Sequence, residues 1–201
     1  SKKDLSASIQ NHLEKRIVEI VRFWKDKTGI NKIVLSGGIF ANVKFNQFIS
    51  EIEGVEGTYI FPCMGDGGNA FGAAIYTYFK ENRFNPEKNK IKNVYLGPSF
   101  DNEYVLKMLN NTDKIEFHKS NNVPQETAKL ISEGKIIGWF QGRMEYGPRA
   151  LGNRSVLASP VDRDINKWLN ERMKRTEFMP FAPSCLYEKA NELFELSEEL
   201  L

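Results

Sequence analysis

Lys32-Ile33-Val34-Leu35-Ser36-Gly37-Gly38 sets a run of strand character against a pair of glycines. A strand buried on both faces shows a continuous apolar run, which Ile33, Val34 and Leu35 supply. Gly37 and Gly38 let the chain turn through backbone conformations closed to other residues. The amphipathic stretch that follows, to about Ile52, predicts a helix. The pattern then recurs. Thr58-Tyr59-Ile60-Phe61-Pro62 reads as a strand, Gly65-Asp66-Gly67-Gly68 as a turn, and Ala70, Ala73, Ala74, Ile75 and Tyr78 as the apolar positions of a helix. Two β-turn-α units side by side predict an α/β fold.

Upstream, Ile9, Leu13, Ile17, Ile20, Val21 and Trp24 return on one helical face, with Asp4 or Ser6 as the expected cap and Gly29 as the stop. Downstream, residues 82–93 lose their periodicity to Asn, Pro, Glu and Lys, the composition of an exposed linker. This places a first lobe at residues 1–85 and a second at residues 86–201. The second lobe is also expected to be α/β, with helices over 102–109 and 124–132 and strands over 115–118, 135–140 and near 155–158. Asp162 is the expected cap of a helix burying Ile165, Trp168, Leu169 and Met173, and a short helix is expected to close the chain. The acidic residues 195–199 read as a solvated face.

A chain of 201 residues admits one large domain or two small ones. Its net charge of +2 gives no long-range field that favours nucleic acid or an anionic membrane as partner. No apolar run approaches the roughly 20 residues needed to span a bilayer. Cys63 and Cys185 lack Cys-x-x-Cys spacing and read as reduced thiols, and His12 and His118 form no metal-binding pair. A cytoplasmic location is expected. Ser1-Lys2-Lys3-Asp4 carries neither an initiator Met nor a signal peptide pattern, so the expectation is a trimmed piece of a longer protein.

Three stretches carry candidate chemistry. In Leu35-Ser36-Gly37-Gly38-Ile39-Phe40-Ala41-Asn42, glycines at the entry to a helix let a nucleotide approach backbone N–H groups, although an ordinary tight turn uses the same residues. In Met64-Gly65-Asp66-Gly67-Gly68, one carboxylate stands at the sheet edge where α/β folds bind ligands, as a metal ligand or as a helix cap. The richest is Gln141-Gly142-Arg143-Met144-Glu145-Tyr146-Gly147-Pro148-Arg149-Ala150-Leu151-Gly152-Asn153-Arg154-Ser155, whose three guanidinium groups suit a phosphorylated ligand. The alternative is a surface salt-bridge network with Glu145 and nearby acids. Lys174 and Arg175 extend the cationic set or offset a helix dipole. Trp139 and Phe140 are expected in the core, with adenine stacking as their other role. Met179-Pro180-Phe181-Ala182-Pro183-Ser184 is an edge strand or a rigid holder of Ser184 against phosphate.

Taken together, the run from Phe140 to Ser155 and Lys174-Arg175-Thr176-Glu177-Phe178-Met179-Pro180-Phe181-Ala182-Pro183 resemble the O-carbamoyltransferase family of nodulation and antibiotic-tailoring enzymes, the NodU/CmcH type. Ser36-Gly37-Gly38-Ile39-Phe40-Ala41-Asn42 and Gly65-Asp66-Gly67-Gly68 look like the same family's earlier motifs, in the same order. The resemblance implies part of an actin-like ATPase (ASKHA) lobe followed by part of a YrdC-like lobe. It implies formation of carbamoyl adenylate from carbamoyl phosphate and ATP, and transfer of the carbamoyl group to the hydroxyl of a small-molecule acceptor. By motif position, Arg149, Lys174, Arg175, Arg143, Arg154 and Ser184 would contact phosphate or carbamoyl groups. Gly37, Gly38, Asn42, Gly65 and Gly67 would line the nucleotide, and Asp66 would bind a divalent metal, iron or magnesium. Two departures stand out. The family's amino-terminal histidine pair has no counterpart here, so the remaining metal ligands are expected in an amino-terminal part of the same protein. Met179 stands where many relatives have Arg. Two other readings share parts of the pattern: a nucleic-acid-binding YrdC-like module, and a threonylcarbamoyl-adenylate synthase of tRNA modification.

Overall fold

The computed structural model describes residues 1–174 and 181–194; Arg175, Met179 and the acidic residues 195–199 lie outside them. The described residues form a mixed α/β structure in two compact units, Ser1–Lys92 and Asn93–Leu193. Val94, Gly97 and Pro98 bond through their backbone to Met144 and Tyr146 within the second unit.

In the first unit, α1 (Lys2–Thr28) opens with a capping box in which Ser1 accepts from the Asp4 N–H and Asp4 reaches back to the Ser1 backbone. The cap is therefore Ser1, not Asp4 or Ser6, because Asp4 occupies the third helical position of that reciprocal pair. Gly29 ends the helix in the left-handed conformation at φ 68°. The strands β1 (Lys32–Leu35) and β2 (Gly57–Ile60) pair in parallel with Leu35 opposite Ile60, and the helix α2 (Val43–Ser50) connects them. A parallel pair needs such a crossover. Leu35, Phe45, Ile49, Ile52 and Val55 form the buried apolar centre, which lies between α2 and the strands. The helix α3 (Gly68–Glu81) follows β2 directly, and α4 (Pro86–Asn89) is a single turn.

The long apolar face expected of α1 is not buried. Ile9, Leu13, Ile20 and Trp24 are exposed, and no residue of the helix reaches full burial. Periodicity reports that a face is apolar, and burial requires a partner element of matching length. Among the described elements α1 packs chiefly against α2, which has only 8 residues.

In the second unit, α5 (Asn102–Asn110) and α6 (Val123–Ser132) begin at Asp101 and Asn122, whose side chains accept backbone N–H groups of the first turn. The strands β3 (Ile137–Phe140) and β4 (Arg154–Leu157) pair antiparallel, Phe140 opposite Arg154, and the arginine-rich loop joins them. The helices α7 (Ile165–Arg172) and α8 (Ala190–Leu193) complete the described part.

Several expectations fail here. Residues 115–118 form no strand; Ile115 and Phe117 alternate with polar neighbours, yet no strand pairs with them among the described residues, and alternation without a partner does not make a strand. The residue at the cap of α7 is Asp164, and Asp162 instead accepts the Asp164 N–H in a turn. Leu169 is buried as expected, but Trp168 and Met173 are exposed. Phe140 is also exposed rather than core, and one face of its ring meets the Arg154 guanidinium instead of apolar neighbours.

Candidate functional site

The first candidate region lies at the carboxyl ends of β1 and β2. Gly37 stands at φ 123°, a conformation that glycine alone adopts without strain, and its N–H donates to the Met64 carbonyl at 2.7 Å. That bond joins the two glycine turns. A short 3-10 turn, Gly38–Ala41, then leads into α2. At Gly68 an added Cβ would collide with the Cys63 carbonyl oxygen and stand 3.2 Å from the Phe61 ring. The second turn therefore needs glycine because the start of α3 comes so close to residues 61–63.

Gly38 and Gly65 differ from these, since nothing lies within 4 Å of where their Cβ would stand. Space over both turns is open. The backbone N–H groups of Gly65, Asp66 and Gly67 donate to nothing among the described residues, and α3 starts without a side-chain cap. Consecutive N–H groups without an acceptor at the start of a 14-residue helix suit an anion. Asn42 precedes α2. Its Oδ1 caps α2 by accepting from the Lys44 N–H at 3.1 Å, and its Nδ2 donates to Gln10 of α1 at 2.9 Å, so its side chain fixes the helix pair.

Asp66 is exposed on its turn. Among the described residues no group of three His, Cys, Asp or Glu side chains is placed to hold a metal ion. One carboxylate does not make a metal site, so these residues by themselves do not fit a bound cation and no step is assigned to one.

The second region is the loop between β3 and β4. Its three arginines do different things. Arg154 donates from Nη1 to the carbonyls of Gln141 at 2.7 Å and Asn153 at 3.0 Å, and from Nη2 to those of Gly142 at 3.2 Å and Pro98 at 3.4 Å. Its guanidinium also lies 3.6 Å from the centre of the Phe140 ring. Arg143 donates from Nη2 to the Leu96 carbonyl at 2.8 Å. These two guanidinium groups therefore tie the base of the loop to residues 96–98. Arg149 is exposed near the loop's far end, between Glu145 and Leu151 in the chain.

Glu145 stands in the sequence only as an arginine partner in the alternative surface salt-bridge network, and the structure gives it another place. Its side chain is buried at 5% exposure, and Oε1 accepts the N–H groups of Leu151 and Asn153 at 2.7 Å and of Arg154 at 3.2 Å. Burial pushes its pKa up, but the N–H groups of Asn153, Leu151, Glu145 itself and Arg154 outweigh this and hold the carboxyl at about 2. A carboxylate between Met144 and Tyr146, followed by Gly147 and Gly152, was the available signal: bulky neighbours point to burial, and glycines to a chain folding back.

Lys174 follows α7 in left-handed backbone at φ 51°, where glycine is the usual occupant. Its N–H donates to the Glu171 carbonyl at 3.0 Å. Ser184 is exposed in the extended stretch before Tyr187–Lys189. Cys63 and Cys185 are free thiols.

Comparison with known proteins gives this arrangement a family. The model described as carbamoyltransferase N-terminus matches residues 1–75, and that described as carbamoyltransferase C-terminus matches residues 128–200. The nodulation protein NolNO of Sinorhizobium fredii is 36% identical over 199 residues, covering 98% of this chain and 29% of the relative. NolO of Bradyrhizobium diazoefficiens is 34% identical, covering 98% of this chain and 36% of the relative. The chain belongs to the NodU-type O-carbamoyltransferase family. An uncharacterized protein of Methanocaldococcus jannaschii is 39% identical, covering 96% of this chain and 33% of the relative. This carbamoyltransferase-family chain thus spans about a third of the length of the curated relatives it matches. Among its described residues no helix is long and apolar enough to cross a membrane.

Proposed function

We propose that this chain supplies the nucleotide turn and the phosphate-donor loop of an ATP-dependent O-carbamoyltransferase. In this reading the first unit is part of an actin-like (ASKHA) lobe and the second part of a YrdC-like lobe, in a cytoplasmic protein. Carbamoyl phosphate and ATP, with water, give carbamoyl adenylate, phosphate and pyrophosphate. The hydroxyl oxygen of a small-molecule acceptor then attacks the carbamoyl carbon, AMP leaves and the hydroxyl proton is lost.

The observation that carries the reading is the linked pair of glycine turns, joined by the Gly37 to Met64 bond and presenting undonated N–H groups at Gly65, Asp66 and Gly67. Backbone N–H groups at a helix start suit the phosphates of ATP, and Gly37, Gly38, Gly65 and Gly67 let the nucleotide come close. Arg149 and Lys174 would bind the donor's phosphate and offset the charge that develops on the leaving pyrophosphate. Lys174 keeps a side chain in backbone that glycine adopts at lower cost, which supports a role for its ammonium group. Arg175 and Ser184 would extend this cationic and polar set. Arg143 and Arg154 would act by holding the loop that presents Arg149. Asp66 would be one ligand of a divalent metal whose other ligands lie outside the described residues.

Titration calorimetry with ATP and with carbamoyl phosphate tests the reading. Binding of both is expected, and Arg149→Ala or Lys174→Ala should each weaken binding of carbamoyl phosphate by about 1–3 kcal/mol, the range for charge-assisted hydrogen bonds. Absence of binding at roughly millimolar ligand would overturn it. Pyrophosphate release that requires threonine and bicarbonate instead of carbamoyl phosphate would point to a threonylcarbamoyl-adenylate synthase.

A further inference from the structure

Glu145 sits at the start of the turn that carries Arg149, and Leu151 sits at its end. The bond from the Leu151 N–H to Oε1 closes that turn, and the Asn153 and Arg154 N–H groups converge on the same oxygen. Around this hub further bonds brace the loop. Tyr95 donates from its hydroxyl to the Leu151 carbonyl at 2.9 Å, Asn153 donates from Nδ2 to the Arg143 carbonyl at 2.7 Å, and Tyr146 N–H donates to the Val94 carbonyl at 2.6 Å. We propose that Glu145 is the positioning residue of the anion site, closing the turn over residues 145–151 so that Arg149 is held in the geometry that receives the donor's phosphate.

This rests on the reading that the loop binds carbamoyl phosphate, and it adds a cause for that binding. A loop left to wander must lose conformational freedom when a ligand arrives, at about 1–2 kcal/mol for each residue fixed. A loop closed beforehand has already lost it, so its cation meets the phosphate without that cost. Glu145 is suited to this task because a buried carboxylate needs several donors, and the donors nearest to it are the N–H groups of the loop itself. Mutual need of this kind locks one conformation. A glutamine at the same place is neutral, and its attraction for three N–H groups is weaker.

The test uses the whole 201-residue chain, with carbamoyl phosphate as the probe, and reads binding by calorimetry and loop closure by amide hydrogen exchange. Glu145→Gln is expected to weaken binding about tenfold and to speed exchange at Leu151, Asn153 and Arg154. Arg149→Ala is expected to weaken binding comparably while leaving those amides protected. Combining the two should cost less than the product of the separate losses, because a freed loop without Arg149 has little left to misplace. Glu145→Asp keeps the charge on a shorter arm and should fall between wild type and Gln, which preserves the test if Gln impairs folding. Glu145→Gln or Glu145→Asp binding as tightly as wild type, with Arg149→Ala impaired, would overturn the positioning role and leave the donor site standing. A wild-type chain that binds no carbamoyl phosphate would remove the donor site, and the role assigned to Glu145 with it.

Discussion

The two candidate regions present hydrogen-bond donors in opposite ways. At the ends of β1 and β2 the chain removes side chains: Gly37 and Gly68 are required by backbone geometry, and open space stands over Gly38 and Gly65. Between β3 and β4 it adds side chains and then fixes them, with Arg143, Arg154 and Glu145 all bonded to backbone groups of the loop or of residues 96–98. A site made of N–H groups depends on where two elements are forced to approach. A site made of cations depends on what restrains a long, flexible arm. The first should therefore fail through packing, and the second through loss of hydrogen bonds.

The sharpest way to break that contrast is Gly68→Ala. The new methyl would meet the Cys63 carbonyl oxygen, a backbone atom that cannot swing aside as a side chain can. A loss of about 3 kcal/mol is expected, at the upper end for overpacking, from urea unfolding followed at residues of the first unit. A loss below about 0.5 kcal/mol would mean that the turn relaxes freely and that close approach does not dictate glycine there.

Arg154→Lys probes the other region with a smaller expected effect. Lysine keeps the charge but cannot bridge the carbonyls of Gln141, Gly142 and Pro98 with one planar group, nor lie flat on Phe140. The expected loss is about 1–2 kcal/mol, read as faster amide exchange in residues 141–154. Full retention of protection would show that charge alone suffices and that the fork geometry is incidental.

The two regions also differ in how much the sequence discloses. Gly37 and Gly68 are visible because a strand, a glycine turn and a helix in register already imply where the backbone must turn and pack. Both strands of the first unit and its connecting helix follow from the same pattern, but β1 is not the buried strand that its apolar run predicts, because Val34 is exposed and only Leu35 is buried. Arg143, Arg154 and Glu145 are visible only as charges. Their partners are carbonyl and N–H groups, which every residue carries, so no letter in the sequence marks the acceptor. The same blindness explains Phe140, whose exposed ring is covered by a guanidinium rather than by the core. It also explains residues 115–118, where a correct alternation lacks the neighbouring strand that would make it structure. Composition and period describe one segment at a time, and both the arginine clamp and a β-ladder are properties of two.

The gentlest perturbation is a single proton on Glu145, which vanishes in effect near neutral pH. An unfolded glutamyl group titrates near 4.3, and the folded one is held at about 2. Because the folded value is the lower, the carboxylate contributes its full stabilisation above roughly pH 5 and loses it as the pH falls toward about 2. Amides of Leu151, Asn153 and Arg154 should lose protection through that window once intrinsic exchange rates are taken into account. The Gly37 N–H bonds to a carbonyl and has no carboxylate acceptor, so its protection should stay level while β1 and β2 remain paired. Glu145→Gln should flatten the loop's response. If the loop amides and the Gly37 amide instead lose protection together, with the same midpoint, then acid is opening the structure at large and the side-chain hub does not set the loop's stability.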